Sequence, residues 1–208
     1  APTRSSSAHR GRHAPDAPPA VRSARLVGGP ASLLVRPADP AALAALLRAA
    51  RPLGVPLAIL GGGANLLVSD RGVRGVVLKL PQDIAPEAEA GETLTLNAGA
   101  PIARLPARAH ARGLVGMEFM AGIPGTLGGA VAMNAGTRIG ETKDGVARVE
   151  LATAEGAGFV PASELAFGQR SARIPPGAGG PPVEFRPRRG AGAARAGRRT
   201  GERARARR

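Results

Sequence analysis

The glycine-rich stretch at residues 122–136 constrains the fold of this 208-residue chain more than any other part of its sequence. Five of its fifteen residues are glycine, and most of the others are small and apolar. A flexible linker of this length would be polar, because it must stay solvated. The composition instead predicts buried backbone that presses against something flat, with Thr126 and Asn134 supplying hydrogen-bonding groups.

A second glycine cluster, Gly-Gly-Gly-Ala-Asn at residues 61–65, directly follows the apolar run at residues 57–60, which predicts a buried strand. Glycines after a strand let the backbone turn tightly, and their N–H groups can converge on an anion. The glycines alone are equally compatible with an ordinary flexible turn. The cluster is neither the dinucleotide fingerprint that opens a helix nor a P-loop, because no Gly-Lys-Ser/Thr follows it.

The first predicted unit, residues 23–81, has a β-α-β-β pattern. Asp39 and Pro40 suit the start of a helix, and Gly54 suits its end. Between them, apolar residues recur at helical spacing and form one face. The residues of that face are Leu43, Leu46, Leu47 and Ala50. The strands of this unit are predicted at residues 33–35, 57–60 and 76–78.

The second predicted unit, residues 82–175, is also mixed, so the fold class is α+β. An alternating pattern predicts a half-buried strand at residues 93–97. A helix is predicted at residues 102–112, with Pro106 as an alternative starting point. A further strand is predicted at residues 146–152, and a short helical turn at residues 163–166.

The net charge of +14 is concentrated at the two ends of the chain. Residues 186–208 hold ten Arg and one Glu, and residues 1–25 hold five Arg and one Asp, which leaves +1 for residues 26–185. Residues 1–22 and 176–208 are therefore interpreted as a disordered leader and a low-complexity tail. The nearly neutral body argues against nucleic acid as the partner, although a polyanion that binds the arginine-rich ends is an open alternative.

The residue types that are missing also limit the chemistry. The chain has no Cys, which excludes thiol nucleophiles and thiolate metal sites and fits a cytoplasmic location. No apolar run reaches the 18 residues of a membrane span. No His, Asp and Glu spacing suggests a metal site.

Both glycine clusters, in this order and spacing, resemble the UDP-N-acetylenolpyruvoylglucosamine reductase family of flavoenzymes. That family typically has a Gly-Gly-Gly-Ser-Asn-Leu-Leu loop and a long Gly-Ile-Pro-Gly-Thr-x-Gly-Gly-Ala-x-x-Met-Asn-Ala-Gly segment. The resemblance covers residues 23–175 and includes a weaker match at residues 27–31. Ala64 departs from the pattern, because it replaces the usual Ser of the first loop.

The resemblance implies a two-lobed FAD-binding domain of the vanillyl-alcohol-oxidase (PCMH) type, with lobes at residues 23–81 and 82–175. It implies non-covalent FAD, since neither loop contains the His or Cys that carries covalent flavin in some oxidases of that superfamily. The first loop would hold the FAD pyrophosphate, and the second would line the rest of the cofactor. The implied cofactor-binding residues are Gly61, Gly62, Gly63, Ala64, Asn65, Gly122, Ile123, Pro124, Gly125, Thr126, Gly128, Gly129 and Asn134.

Arg170, in the sequence Phe-Gly-Gln-Arg-Ser at residues 167–171, matches the active-site arginine of the family. The resemblance implies that it stabilises negative charge on the substrate's enol intermediate, a sound role for a fixed cation. Without the resemblance, a surface arginine would be the default interpretation. Gln169 stands where the family usually has Tyr, so a phenol hydroxyl is lost.

The family couples NADPH oxidation to reduction of the enolpyruvyl group of a nucleotide sugar, which yields UDP-N-acetylmuramate for peptidoglycan synthesis. Its proton donor, a Ser assisted by a Glu, belongs to a C-terminal substrate domain. The sequence predicts that this domain is absent, because residues 176–208 contain no recognisable equivalent. Three hypotheses follow: a flavin reductase represented incompletely, a non-catalytic FAD-binding fragment, and a basic polyanion-binding protein.

Overall fold

The computed structural model describes residues 11–15, 28–82, 86–90, 93–174, 183–185 and 188–189. These residues form an α+β structure with two main sheets. The strands are β1 Gly11–Pro15, β2 Ala31–Pro37, β3 Leu57–Leu60, β4 Val73–Lys79, β5 Pro86–Ala90, β6 Thr93–Leu96, β7 Leu114–Val115, β8 Gly136–Thr137, β9 Gly140–Glu141, β10 Val146–Ala152, β11 Ala157–Pro161, β12 Val183–Phe185 and β13 Arg188–Arg189. The α-helices are α1 Pro40–Ala50, α2 Leu105–His110 and α3 Leu127–Ala132, and short 3₁₀ turns lie at Ile102–Arg104, Glu118–Met120, Thr142–Asp144 and Ala162–Leu165.

The first sheet has the strand order β1-β2-β4-β3. Strands β2, β4 and β3 are parallel, and β1 pairs with β2 in the antiparallel sense. Because β3 and β4 are in register from Leu57 opposite Val76 to Leu60 opposite Lys79, both strands end at the same edge. The first glycine cluster leaves the sheet at this edge.

Helix α1 connects β2 to β3 and starts where the sequence predicts. The Asp39 carboxylate accepts a hydrogen bond from the Ala42 N–H at 2.7 Å, which satisfies one of the free donors at the helix start. Leu43, Leu47 and Ala50 are buried, as expected for one apolar face at helical spacing. Gly54, beyond the end of the helix, has a left-handed φ of 60°.

The second sheet is antiparallel and has the order β11-β10-β12-β6-β5. In β6 and β10 the residues that face the core are apolar and buried, for example Leu94, Leu96 and Val149. The helix predicted at residues 102–112 divides into the Ile102–Arg104 turn and α2, whose second residue is Pro106. Proline is tolerated there because the N–H of a first-turn residue has no helical partner.

The larger of two buried hydrophobic clusters joins the two predicted units. Leu43 and Leu47 of α1 belong to the same buried cluster as Leu78 of β4, Leu96 of β6 and Val149 of β10. Helix α1 therefore packs against residues of both sheets. A smaller, separate buried cluster lies within the first unit and is formed by Ala31, Leu34, Leu60 and Val77. The lobe boundary at residues 81 and 82 stays a prediction.

The leader and tail predictions are wrong at three short strands. Strand β1 lies in the predicted leader, and β12 and β13 lie in the predicted tail. Strand β12 is inserted between β10 and β6, in the interior of the second sheet. A strand of three residues is too short to carry a periodic signal, and its pairing partners are distant in sequence. The other residues of 1–22 and 176–208 lie outside the described parts.

No helix within the described ranges is long and apolar enough to cross a membrane.

Candidate functional site

The two glycine clusters cross each other in contact. A Cβ placed on Gly62 would lie 2.7 Å from the Cα of Gly125, and one placed on Gly61 would lie 2.5 Å from the Thr126 hydroxyl oxygen. On the other side, a Cβ on Gly125 would lie 3.8 Å from the Cβ of Ala64. Glycine is therefore required at Gly62 for the two backbones to approach this closely.

The backbone of residues 125–128 is hydrogen-bonded to residues 98–102, which lead into the Ile102–Arg104 turn. The Ile102 N–H donates to the Gly125 carbonyl at 3.2 Å, and the Leu127 and Gly128 N–H groups donate to the Ala100 and Ala98 carbonyls at 2.9 and 2.7 Å. Leu127 then begins α3 and is fully buried. The glycine-rich stretch is thus partly helical, which its sequence pattern did not indicate.

The first loop presents backbone donors that no protein group uses. In the described part of the chain, none of the N–H groups of residues 62–65 donates a hydrogen bond to a protein acceptor. Gly63 is among them although it is buried, and its φ of 74° gives the loop a left-handed turn. Buried N–H groups are normally paired, and consecutive free N–H groups form an anion-binding concavity.

Thr126 adds a side-chain group at the crossing. The residue is only 3% exposed, and across the described ranges its hydroxyl makes no hydrogen bond. A Cβ on Gly129 would lie 3.4 Å from this oxygen, so the hydroxyl lies between Gly61 and Gly129. This hydroxyl is therefore available to a ligand or to water at the crossing.

The other residues of the two clusters are mostly exposed. Ile123 is half-buried, whereas Asn65, Gly122, Pro124 and Gly129 are exposed. Two large apolar side chains, Leu66 and Leu67, follow the first loop and are 41% and 77% exposed. The crossing therefore combines free polar donors with nearby apolar surface.

Asn134, at the end of the second cluster, takes part in a protein network. Its side-chain amide donates to a Glu141 carboxylate oxygen at 3.0 Å and to the Gly168 carbonyl at 3.1 Å. Its carbonyl oxygen accepts from the Lys143 N–H at 3.1 Å. Asn134 is 5% exposed and has a left-handed φ of 41°, a conformation that asparagine tolerates better than most residues. The predicted role of Asn134 in cofactor binding stays a prediction.

Arg170 lies at the tip of a tight turn that Asn134 anchors. Gly168 and Ser171 form an antiparallel bridge, in which the Gly168 N–H donates to the Ser171 carbonyl at 2.9 Å. Gln169 and Arg170 form the exposed tip, and Arg170 has a left-handed φ of 52°. Since Asn134 bonds to the Gly168 carbonyl, the third motif is tied to the end of the second.

Glu141 and Lys143 form an ion pair of 2.6 Å beside this network. Hydrogen bonds from Lys143 and then from Asn134 hold the pKa of Glu141 below its ordinary value, and the carboxylate raises the pKa of Lys143. The sequence predicts that Glu141 is solvated or paired with a nearby cation, and the pair with Lys143 confirms this. Its link through Asn134 to the turn that carries Arg170 had no signal in the sequence.

An Asn134→Asp variant is expected to be less stable than the wild type at neutral pH and to lose this deficit as the pH falls. The wild-type Glu141 has a lowered pKa, so its contribution is present at neutral pH and is lost as the pH falls through that pKa. The new carboxylate would face Glu141 and the Gly168 carbonyl, so its own pKa is raised by repulsion. Losing the hydrogen bond that the amide donates to the Gly168 carbonyl should cost about 1 kcal/mol at neutral pH. The lost bond to the partly exposed Glu141 carboxylate and the new repulsion between the two carboxylates add to this destabilisation.

Thermal unfolding of both proteins across a pH series measures the effect. The difference in unfolding temperature between the variant and the wild type should shrink as the pH falls, because the introduced carboxyl group can donate a hydrogen bond once it is protonated. Asn65→Asp, at an exposed position, is the matched control and should change stability little at any pH. A constant difference across the series would contradict the network.

The chain matches known proteins over most of its length. The FAD binding domain family matches residues 31–158. UDP-N-acetylenolpyruvoylglucosamine reductase from Anaeromyxobacter dehalogenans (strain 2CP-C) is 68% identical over 181 residues, which cover 87% of this chain and 55% of that protein. The protein of the same name from Myxococcus xanthus is 53% identical over 167 residues, which cover 78% of this chain and 54% of that protein. The chain therefore spans about half the length of the relatives that it matches.

Solved structures agree with the sequence comparison. UDP-N-acetylenolpyruvylglucosamine reductase from Thermus caldophilus aligns with a TM-score of 0.73 and 32% identity, covering 95% of this chain and 69% of that one. The 6-hydroxy-D-nicotine oxidase from Arthrobacter nicotinovorans aligns with a TM-score of 0.61 at 20% identity, over 86% of this chain and 42% of that one. The second likeness concerns the fold alone, and it agrees with the predicted α+β fold class.

Proposed function

The chain belongs to the UDP-N-acetylenolpyruvoylglucosamine reductase family and contains its FAD-binding domain, and on this premise we propose that residues 61–65 and 122–129 hold FAD non-covalently for the NADPH-driven reduction of that nucleotide sugar. The proposed product is UDP-N-acetylmuramate. The observation that carries the proposal is the row of unused N–H groups at residues 62–65, directly beside the crossing of Gly62 and Gly125. We also propose a cytoplasmic location, where NADPH and nucleotide sugars are available.

The residues at the crossing fit a flavin dinucleotide. Two phosphates need several donors in a small space, and the free N–H groups of the first loop supply them without side chains. The Thr126 hydroxyl supplies a further group within the same crossing. Exposed apolar side chains such as Leu67 offer surface for the flat rings of the cofactor.

When bound, FAD supplies a ring that can accept and donate a hydride. The residues of the chain contribute binding and charge. Glycine at the crossing excludes side chains from the space that the cofactor requires, and Arg170 supplies a fixed cation for negative charge that develops on the substrate. Asn134 holds the turn that carries Arg170.

The first experiment is an absorbance spectrum of the purified chain after incubation with FAD and removal of free flavin by desalting. A retained flavin band is the expected result. A colourless chain would contradict the proposed site. A chain that keeps FAD and does not consume NADPH when UDP-N-acetylenolpyruvoylglucosamine is added would be a non-catalytic FAD-binding fragment, the second hypothesis.

A further inference from the structure

Lys79 contacts the first glycine loop, and the family resemblance assigned it no role. It is the last residue of β4 and lies opposite Leu60, the last residue of the parallel neighbour β3. Its ammonium group donates a hydrogen bond to the carbonyl of Gly61, the first residue of the loop, across 18 positions of sequence. The side chain is half-buried beneath the loop rather than extended into solvent.

This hydrogen bond determines how one peptide group of the loop is oriented. The Gly61 carbonyl and the Gly62 N–H belong to the same planar trans peptide and point in opposite directions. A carbonyl that is held toward Lys79 therefore directs the Gly62 N–H away from the Lys79 ammonium group. Gly62 begins the row of donors that have no protein partner in the described structure.

The ammonium group also places a positive charge at the carbonyl end of the Gly61–Gly62 peptide, opposite its N–H. The field of a charge is weakly screened in a partly buried site, so it reaches an anion held on the other side of one peptide. A cation that bonds to the carbonyl also polarises the peptide, which makes its N–H a stronger donor. Orientation, charge and polarisation all favour an anion at the same position.

We propose that Lys79 is a positioning residue for the diphosphate of the cofactor: it fixes the Gly61–Gly62 peptide with its N–H toward the phosphates and adds the charge that attracts them. This inference rests on the proposed function, because it requires that the first loop receives a diphosphate. It predicts that Lys79 affects ligands with phosphates and does not affect ligands without them.

The test measures the dissociation constants of FAD, ADP and adenosine for the full chain and for Lys79→Met, which keeps the stem and removes the charge. Affinity for FAD and ADP should fall about tenfold, as expected when one charged hydrogen-bond donor is lost, and affinity for adenosine should not change. Lys79→Arg should recover part of the loss. Arg74→Met, on the same strand at an exposed position, is the matched control and should bind all three ligands as the wild type does.

Two further measurements separate positioning from a general structural effect. The difference in ADP affinity between the wild type and Lys79→Met should narrow as the salt concentration rises, because salt screens the attraction between the ammonium group and the phosphates. Thermal unfolding of the ligand-free variants checks that Lys79→Met stays folded. The role of Lys79 would be overturned if Lys79→Met lost affinity for adenosine and ADP equally, or if it bound ADP as tightly as the wild type does. A wild-type chain that binds neither FAD nor ADP would instead overturn the proposed function, and this inference with it.

Discussion

A Gly62→Val variant is expected to lose FAD binding, with a fall in affinity of about 100-fold or more. The new Cβ would lie 2.7 Å from the Cα of Gly125 and 3.2 Å from its carbonyl carbon, and both of these atoms belong to backbone. The Gly125 backbone cannot withdraw easily, because its carbonyl accepts a hydrogen bond from the Ile102 N–H. The two loops must therefore separate, which removes the closely packed site between them.

Gly158→Val is the matched control for this prediction. Gly158 lies in β11, where an added Cβ meets no atom within 4 Å. It should keep FAD after desalting, and its thermal unfolding should resemble that of the wild type. The FAD affinity of Gly62→Ala should lie between those of the two valine variants. If Gly62→Val retained flavin stoichiometrically, the crossing could not be the cofactor site.

An Arg170→Met variant is expected to lower kcat by about 100-fold and to leave FAD retention unchanged. Arg170 is exposed at the tip of its turn, and in the part of the structure described here its guanidinium forms no ion pair, so its loss should not disturb the fold. Arg170 has a left-handed φ of 52°, and this conformation costs methionine and arginine the same free energy. The substitution therefore adds no backbone strain. NADPH consumption at saturating nucleotide sugar measures the effect.

Arg173→Met, three residues away and also exposed, serves as the control and should turn over as the wild type does. Arg170→Lys should recover only part of the rate, because lysine keeps the charge but not the planar fork of donors. Where turnover is too slow to measure, the change in flavin absorbance on addition of substrate gives the affinity instead. Wild-type kcat in Arg170→Met would support the simpler interpretation as a surface arginine.

Local patterns in the sequence were sufficient for most elements of the first unit. The cap at Asp39, the apolar spacing of Leu43 and Leu47, and the strand before the first glycine cluster all depend on neighbours within a few residues. The two glycine motifs also carried the family resemblance and the choice of FAD, which the comparisons confirm. The individual cofactor-binding residues and Arg170 stay predictions.

Local sequence patterns did not predict the strands that pair with segments distant in sequence. Strands β1, β12 and β13 occur in stretches that composition placed in a leader and a tail. Strand β12 pairs with both β10 and β6, and its position depends on the edges that those strands offer. Its own three residues contain no alternation long enough to identify a strand.

By itself, the sequence determined the class of the fold, the strand that precedes the first loop, and the glycines without which two backbones could not approach closely. The tertiary structure decided that Gly62 meets Gly125, that Lys79 holds the Gly61 carbonyl, and that Asn134 ties the turn of Arg170 to Glu141. The physical reason is the sequence separation of the interacting residues. Capping, turn formation and periodicity involve neighbours in the chain, whereas each of these contacts needs a partner that only the packed sheets and loops bring within hydrogen-bonding or van der Waals distance.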